Sequence, residues 1–153
     1  MTADLTVTAH IPDSYVPSSG QRMDLSRRIA HIRGEKDADD LVDELIDRYG
    51  DPPRPVNNLI SVALLRAAAA DLGIQDIAQR GTNLRFTLRE FSVERISALS
   101  ELPAFRKRLE FGPDKRNQPV LTLKLGAKED PLAWARRMLA AYRTCENPKE
   151  TQA

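Results

Sequence analysis

The apolar residues of this 153-residue chain change period at Gly73. From Ser19 up to that point they recur every three to four positions, the spacing of helices with one buried stripe. After it, "IQDIAQRG" and "NLRFTLRE" alternate apolar with polar, the period of half-buried strands. A chain with helices early and strands late is expected to be α+β rather than a doubly wound parallel sheet. The expected architecture over residues 1–153 is a single domain, with three N-terminal helices and a small, mainly antiparallel sheet carrying two further helices.

Punctuation refines the elements. "LTVTAH" (5–10) alternates and carries β-branched residues, so it is expected to be a strand, followed by the turn-rich "IPDSYVPSSG". Met23, Leu25, Ile29 and Ile32 predict a helix from Ser19 to about Arg33, with Gly34 as its stop. The next helix is expected to be capped by Asp37. Leu41, Leu45 and Tyr49 form its buried stripe, widened by Val42 and Ile46. Gly50 supplies a left-handed closing residue, and Pro52 and Pro53 forbid continuation. A long alanine-rich helix follows with Pro55 in its first turn and ends at Gly73. Its expected inward residues are Val56, Leu59, Ile60, Ala63, Leu64 and Ala67.

The hairpin over 74–90 turns at "GTN", and Ser92 is placed to cap "VERISALSEL". "RLEF" and "PVLTLKL" form a second hairpin around "GPDKRNQ". "DPLAWARRMLAAYR" closes the fold as an amphipathic helix, with Asp130 as cap and Pro131 at the first turn. The tail 145–153 is expected to fray.

Composition excludes several classes. The apolar share of 41% is too high for wholesale disorder, and no run approaches the ~18 consecutive apolar residues of a membrane helix. The N-terminus has neither the basic start nor the apolar block of a signal peptide. Cys145 is the single cysteine, so no internal disulfide can form and a cytoplasmic location is expected. His10 and His31 have no cysteine or second histidine at metal spacing, and the seven glycines are scattered rather than gathered into a phosphate loop. No catalytic residue, metal site or cofactor site is expected in this chain.

Charge is unevenly placed. Residues 1–50 carry ten acids against six bases; seven of those acids, joined by Asp51 to make eight, fall in "EKDADDLVDELIDRYGD" (35–51). On that helix Glu44, Asp47 and Arg48 stand at i, i+3 and i+4, one polar patch directly before the stop. The simplest account is an intrahelical Glu–Arg pair worth about 0.2–0.5 kcal/mol with Asp47 solvated; a docking face is permitted but not required. The second half is basic. Arg106, Lys107 and Arg108 in "FRKRLEF", with Lys115 and Arg116 in "DKRNQ", are candidate phosphate contacts if the hairpin brings them together. The alternative reading of the chain is therefore a small basic module that binds duplex DNA.

Longer motifs carry more. "HIPDSYVPSSGQRMDLSRRIA", "ELIDRYGDPPRPVNNLI" and "LLRAAAADLGI" strongly resemble the C-terminal domain of the bacterial transcription-repair coupling factor. The motifs are specific up to Ile74 and generic beyond it. The sequence departs from the family at Ser26, where an aromatic usually precedes the basic pair Arg27–Arg28. The resemblance implies a non-catalytic regulatory domain of an ATP- and magnesium-dependent DNA translocase, whose motor lies upstream. It implies docking on a UvrB-like module of the same polypeptide, which masks the UvrA-binding surface and restrains the translocase until stalled RNA polymerase is engaged. The family's polar contacts fall on the helix matching "ELIDR", which carries over to Glu44, Asp47 and Arg48 as the docking residues.

Overall fold

Glycine and proline set the element boundaries in the computed structural model, which describes residues 2–145. In chain order the elements are β1 (Thr2–Asp4), α1 (Ser19–Ala30), α2 (Glu35–Tyr49), α3 (Arg54–Asp71), β2 (Ile74–Arg80) and β3 (Asn83–Leu88). They continue with α4 (Val93–Glu101), β4 (Leu109–Pro113), β5 (Pro119–Lys124) and α5 (Pro131–Thr144). The α+β expectation holds. The chain groups into two compact units: residues Val7–Ala68, and the residues up to Thr6 together with those from Ala69 on.

The helical unit is built around one apolar cluster. Leu25 and Ile29 of α1, Leu41 and Leu45 of α2, and Val56 and Ile60 of α3 are all buried, and Val16 of the preceding loop joins them. Each set repeats at four residues, which brings one stripe of every helix onto a shared interior. Within α3 the expected Val56, Ile60 and Ala63 are buried, whereas Leu59, Leu64 and Ala67 are only partly so and Leu65 takes an inward place instead.

Three local expectations need correction. Residues 5–10 form no strand; the paired strand is Thr2–Asp4, parallel to β2. The alternation of exposure persists through 5–10, so the segment is extended without a ladder partner. Side chains satisfy part of its backbone instead: Thr6 N–H donates to Gln79 (2.8 Å), and Asn58 donates to the Thr8 carbonyl (2.9 Å). Gly34 does not stop α1, which ends at Ala30 with His31 as its cap; Gly34 is the N-cap of α2. Asp37 lies within the first turn of α2 and reaches back to accept the Arg33 N–H at 3.0 Å. The tail expected to fray lies, beyond Cys145, outside the described residues.

In the second unit the sheet order is β1-β2-β3-β5-β4. β2–β3 and β4–β5 are antiparallel hairpins, and β3 pairs antiparallel with β5. β3 and β4 therefore run parallel, two positions apart, with α4 as the crossover and β5 returning to fill the gap. Gly73 sets the start of β2. Its φ is +76°, and its carbonyl accepts the N–H groups of Arg89 (2.8 Å) and Glu90 (3.2 Å). A Cβ there would stand 3.1 Å from the Glu90 Cβ and 3.3 Å from its carbonyl oxygen.

Gly73→Ala is thus expected to combine left-handed strain with a tight contact against Glu90 and to destabilise the chain by at least about 1–2 kcal/mol in urea unfolding. A loss under a few tenths would contradict this account of the α3–β2 joint.

Candidate docking face

α2 ends where it does because two tyrosines hold it. Tyr15 donates its hydroxyl to the carbonyl of Gly50 (2.8 Å), and its ring packs against Tyr49 at 5.6 Å between centroids. Tyr49 in turn donates to the Gln21 side chain of α1 at 3.0 Å. Burial raises the pKa of Tyr15, with the nearby Asp51 charge adding to the effect. Gly50, at φ +86°, closes the helix through a bond from its N–H to the Ile46 carbonyl.

This anchoring turns Leu41 and Leu45 inward, 3% and 2% exposed, sets Glu44 and Arg48 on the flank of α2 that borders α1, and leaves Asp47 exposed beyond them. The carboxylate of Glu44 meets Arg28 of α1 at 2.5 Å. Arg48, the i+4 partner expected from sequence, stands at 3.8 Å and lies over the Tyr49 ring at 5.2 Å. The principal partner of Glu44 is therefore on another helix. Arg28 is the residue that spacing arguments miss, because it lies sixteen positions earlier; its only signal is the basic pair of "RRIA". Asp47 is exposed and holds no ion pair among the described residues.

Between α1 and α2 these side chains line a shallow groove of about 210 Å³, with Gln21, Asp24 and Arg28 on one bank and Glu44 and Arg48 on the other. Ile46 departs from expectation. It is not part of the buried stripe but 43% exposed, on the side of α2 away from Glu44 and Arg48. Ser26 is exposed on α1, so its place in the sequence leaves the core untouched.

The basic residues of the second half do not form one cluster. Arg106 and Lys107 precede β4, and Lys115 and Arg116 lie beyond its far end. Five strand residues separate them by about 17 Å. Arg108 is engaged: it forms a two-pronged pair with Glu129 (2.7 and 3.0 Å) and lies over Trp134 at 4.5 Å. Among the described residues no group of three or more histidine, cysteine or acidic side chains has metal-site geometry. No described helix is long and apolar enough to cross a membrane.

The hydrogen bond from Arg28 is the main reason Glu44 titrates below its ordinary value of 4.5; partial desolvation opposes it, and the charges of Arg28 and Arg48 add to it. A lowered folded-state pKa contributes stability that is fully present above pH 4.5 and is lost as pH falls through the lowered value. Arg28→Ala is expected to move the Glu44 midpoint back toward 4.5 in an NMR carboxyl titration, and Arg48→Ala to move it less. Equal shifts from the two substitutions would contradict the ranking of the two arginines.

Comparison with known proteins agrees with this architecture. The family model of the TRCF domain matches residues 5–99. The transcription-repair-coupling factor of Mycobacterium tuberculosis is 40% identical over 74 residues, 48% of this chain and 6% of that protein. The factor of Escherichia coli is 34% identical over 74 residues, again 48% and 6%. That of Bacillus subtilis is 30% identical over 87 residues, 57% and 7%. The chain thus spans only about 6–7% of the length of these relatives. A crystal structure of the C-terminal domain of a transcription-repair coupling factor superposes with a TM-score of 0.76 at 20% identity, covering 99% of this chain and 94% of that one. The chain belongs to the TRCF domain family.

Proposed function

We propose that this TRCF domain is a non-catalytic regulatory module of a transcription-repair coupling factor, acting as an intramolecular lock. The polar face of α2 formed by Glu44, Asp47 and Arg48 docks on the UvrB-like module of the same polypeptide and covers the surface that UvrA would use. This restrains the ATP- and magnesium-dependent translocase until stalled RNA polymerase and DNA are engaged. The observation that carries the reading is the division of labour on α2. Glu44 is committed to Arg28 and so fixed in place, half-exposed Arg48 is held loosely between Glu44 and the Tyr49 ring, and exposed Asp47 beside it holds no ion pair among the described residues.

A polar face suits a lock that must open. Charged rim contacts set register and exclude wrong partners, yet return to water at little cost. A large apolar interface would stay shut or aggregate once exposed. The closed state needs only a modest coupling energy, about 1–3 kcal/mol for typical linked sites.

Calorimetric titration of the chain against the separately expressed UvrB-like module tests the reading. Binding is expected for the wild type and is expected to fall at least about tenfold in Asp47→Ala/Arg48→Ala, with circular dichroism unchanged. Equal binding by wild type and variant would remove the α2 face from the interface.

A further inference from the structure

We propose that the free edge of β4 is a strand-addition site for an extended protein segment with acidic residues at both ends and an apolar residue at its centre. β4 is the last strand of the sheet and pairs only with β5. The phase of that pairing is set at both ends. Lys124 N–H donates to the Arg108 carbonyl (2.8 Å), and Asp114 N–H donates to the Gln118 carbonyl (2.9 Å). Even-numbered residues of β4 therefore bond inward, and Leu109, Phe111 and Pro113 turn their peptide groups outward. The outward positions offer two N–H donors and three carbonyls. Pro113 lacks its N–H at a position where the β5 ladder does not need it.

The apolar centre comes from the sheet itself. Ile77, Phe86, Leu121 and Phe111 are paired in register across four strands. The first three are at most 1% exposed, while Phe111 at the edge is 40% exposed. Phe91 packs against it at 5.3 Å between centroids and is itself 49% exposed. The buried row thus runs out at the edge in an uncovered aromatic pair, which would seat one apolar side chain of an added strand.

Charge selects the occupant. Arg106 and Lys107 flank one end of the edge, and Lys115 and Arg116 the other; all four are exposed and hold no ion pair among the described residues. The acids nearby are engaged. Glu110 pairs with Lys124 at 2.5 Å, and Asp114 accepts the N–H groups of Arg116 (2.8 Å) and Gln118 (2.9 Å). A second copy of this chain adding edge to edge would bring cations against cations in either direction, so self-association is disfavoured. A segment with acidic ends is favoured. Peptide groups spaced along the edge and an aromatic seat between the cations match a polypeptide better than a phosphate backbone.

The test uses the 153-residue chain and an acetylated, amidated peptide of alternating valine and threonine with two glutamates at each end, followed by backbone NMR. The amides of Leu109 and Phe111 are expected to shift and to become protected from exchange. Affinity is expected to fall at least about tenfold for the same peptide ended in lysines, and similarly for the exposed-surface variant Arg106→Glu/Lys115→Glu/Arg116→Glu. Phe111→Pro removes an outward donor and is expected to abolish protection at Leu109 while the β5 amides stay protected. No shift at Leu109 and Phe111, equal binding of the two peptides, or displacement of the acidic peptide by a short DNA duplex at lower concentration would each overturn the proposal.

Discussion

The hold that Tyr15 and Tyr49 keep on the end of α2 is the constraint on which the helical unit's surface depends. A helix end is ordinarily the part that frays, because its last carbonyls lack partners. Here the Gly50 carbonyl receives the Tyr15 hydroxyl, and Tyr49 ties the last turn to Gln21 of α1. Pro52 and Pro53 make continuation impossible. Asp47 and Arg48 sit in this last turn, so their positions inherit the rigidity of the stop. A docking residue held on a rigid element loses less entropy on binding than one on a loop.

The same economy operates in the pairing of Glu44. Left alone, three neighbouring charges on one helix would exchange partners among themselves and present no defined pattern. The Arg28 contact takes Glu44 out of that exchange and binds α1 to α2 at the surface, above the buried Leu25 and Leu45. Both side chains remain well exposed, so the pair orients more than it stabilises. Its value to the proposed lock is geometric.

Much of the fold was legible because local chemistry decided it. Gly50 with Pro52 and Pro53 marked the end of α2, Asp130 with Pro131 marked the start of α5, and Gly81 marked the β2–β3 turn. What stayed hidden was set by distant partners. The alternation over 5–10 signals an extended chain, but whether a ladder forms depends on a neighbour that sequence spacing does not reveal, and only Thr2–Asp4 found one. Helical periodicity put Ile46 in the buried stripe, although Leu41 and Leu45 already fill that side. Arg28 and Arg108 are engaged by Glu44 and Glu129, sixteen and twenty-one positions away, so neither pair could be read from local spacing. The polar patch itself was visible in "ELIDR"; which of its members would be spent on the fold was not.

The central claim is that the polar face of α2 formed by Glu44, Asp47 and Arg48 holds the translocase in check. It is tested most directly by the DNA-free ATPase rate of the full-length protein carrying Asp47→Arg, a substitution at an exposed position that leaves the core of this domain intact. The account requires that rate to rise severalfold, and to return toward the wild-type rate when a cation on the UvrB-like module is reversed to an acid. An unchanged basal rate in a folded Asp47→Arg protein would contradict it.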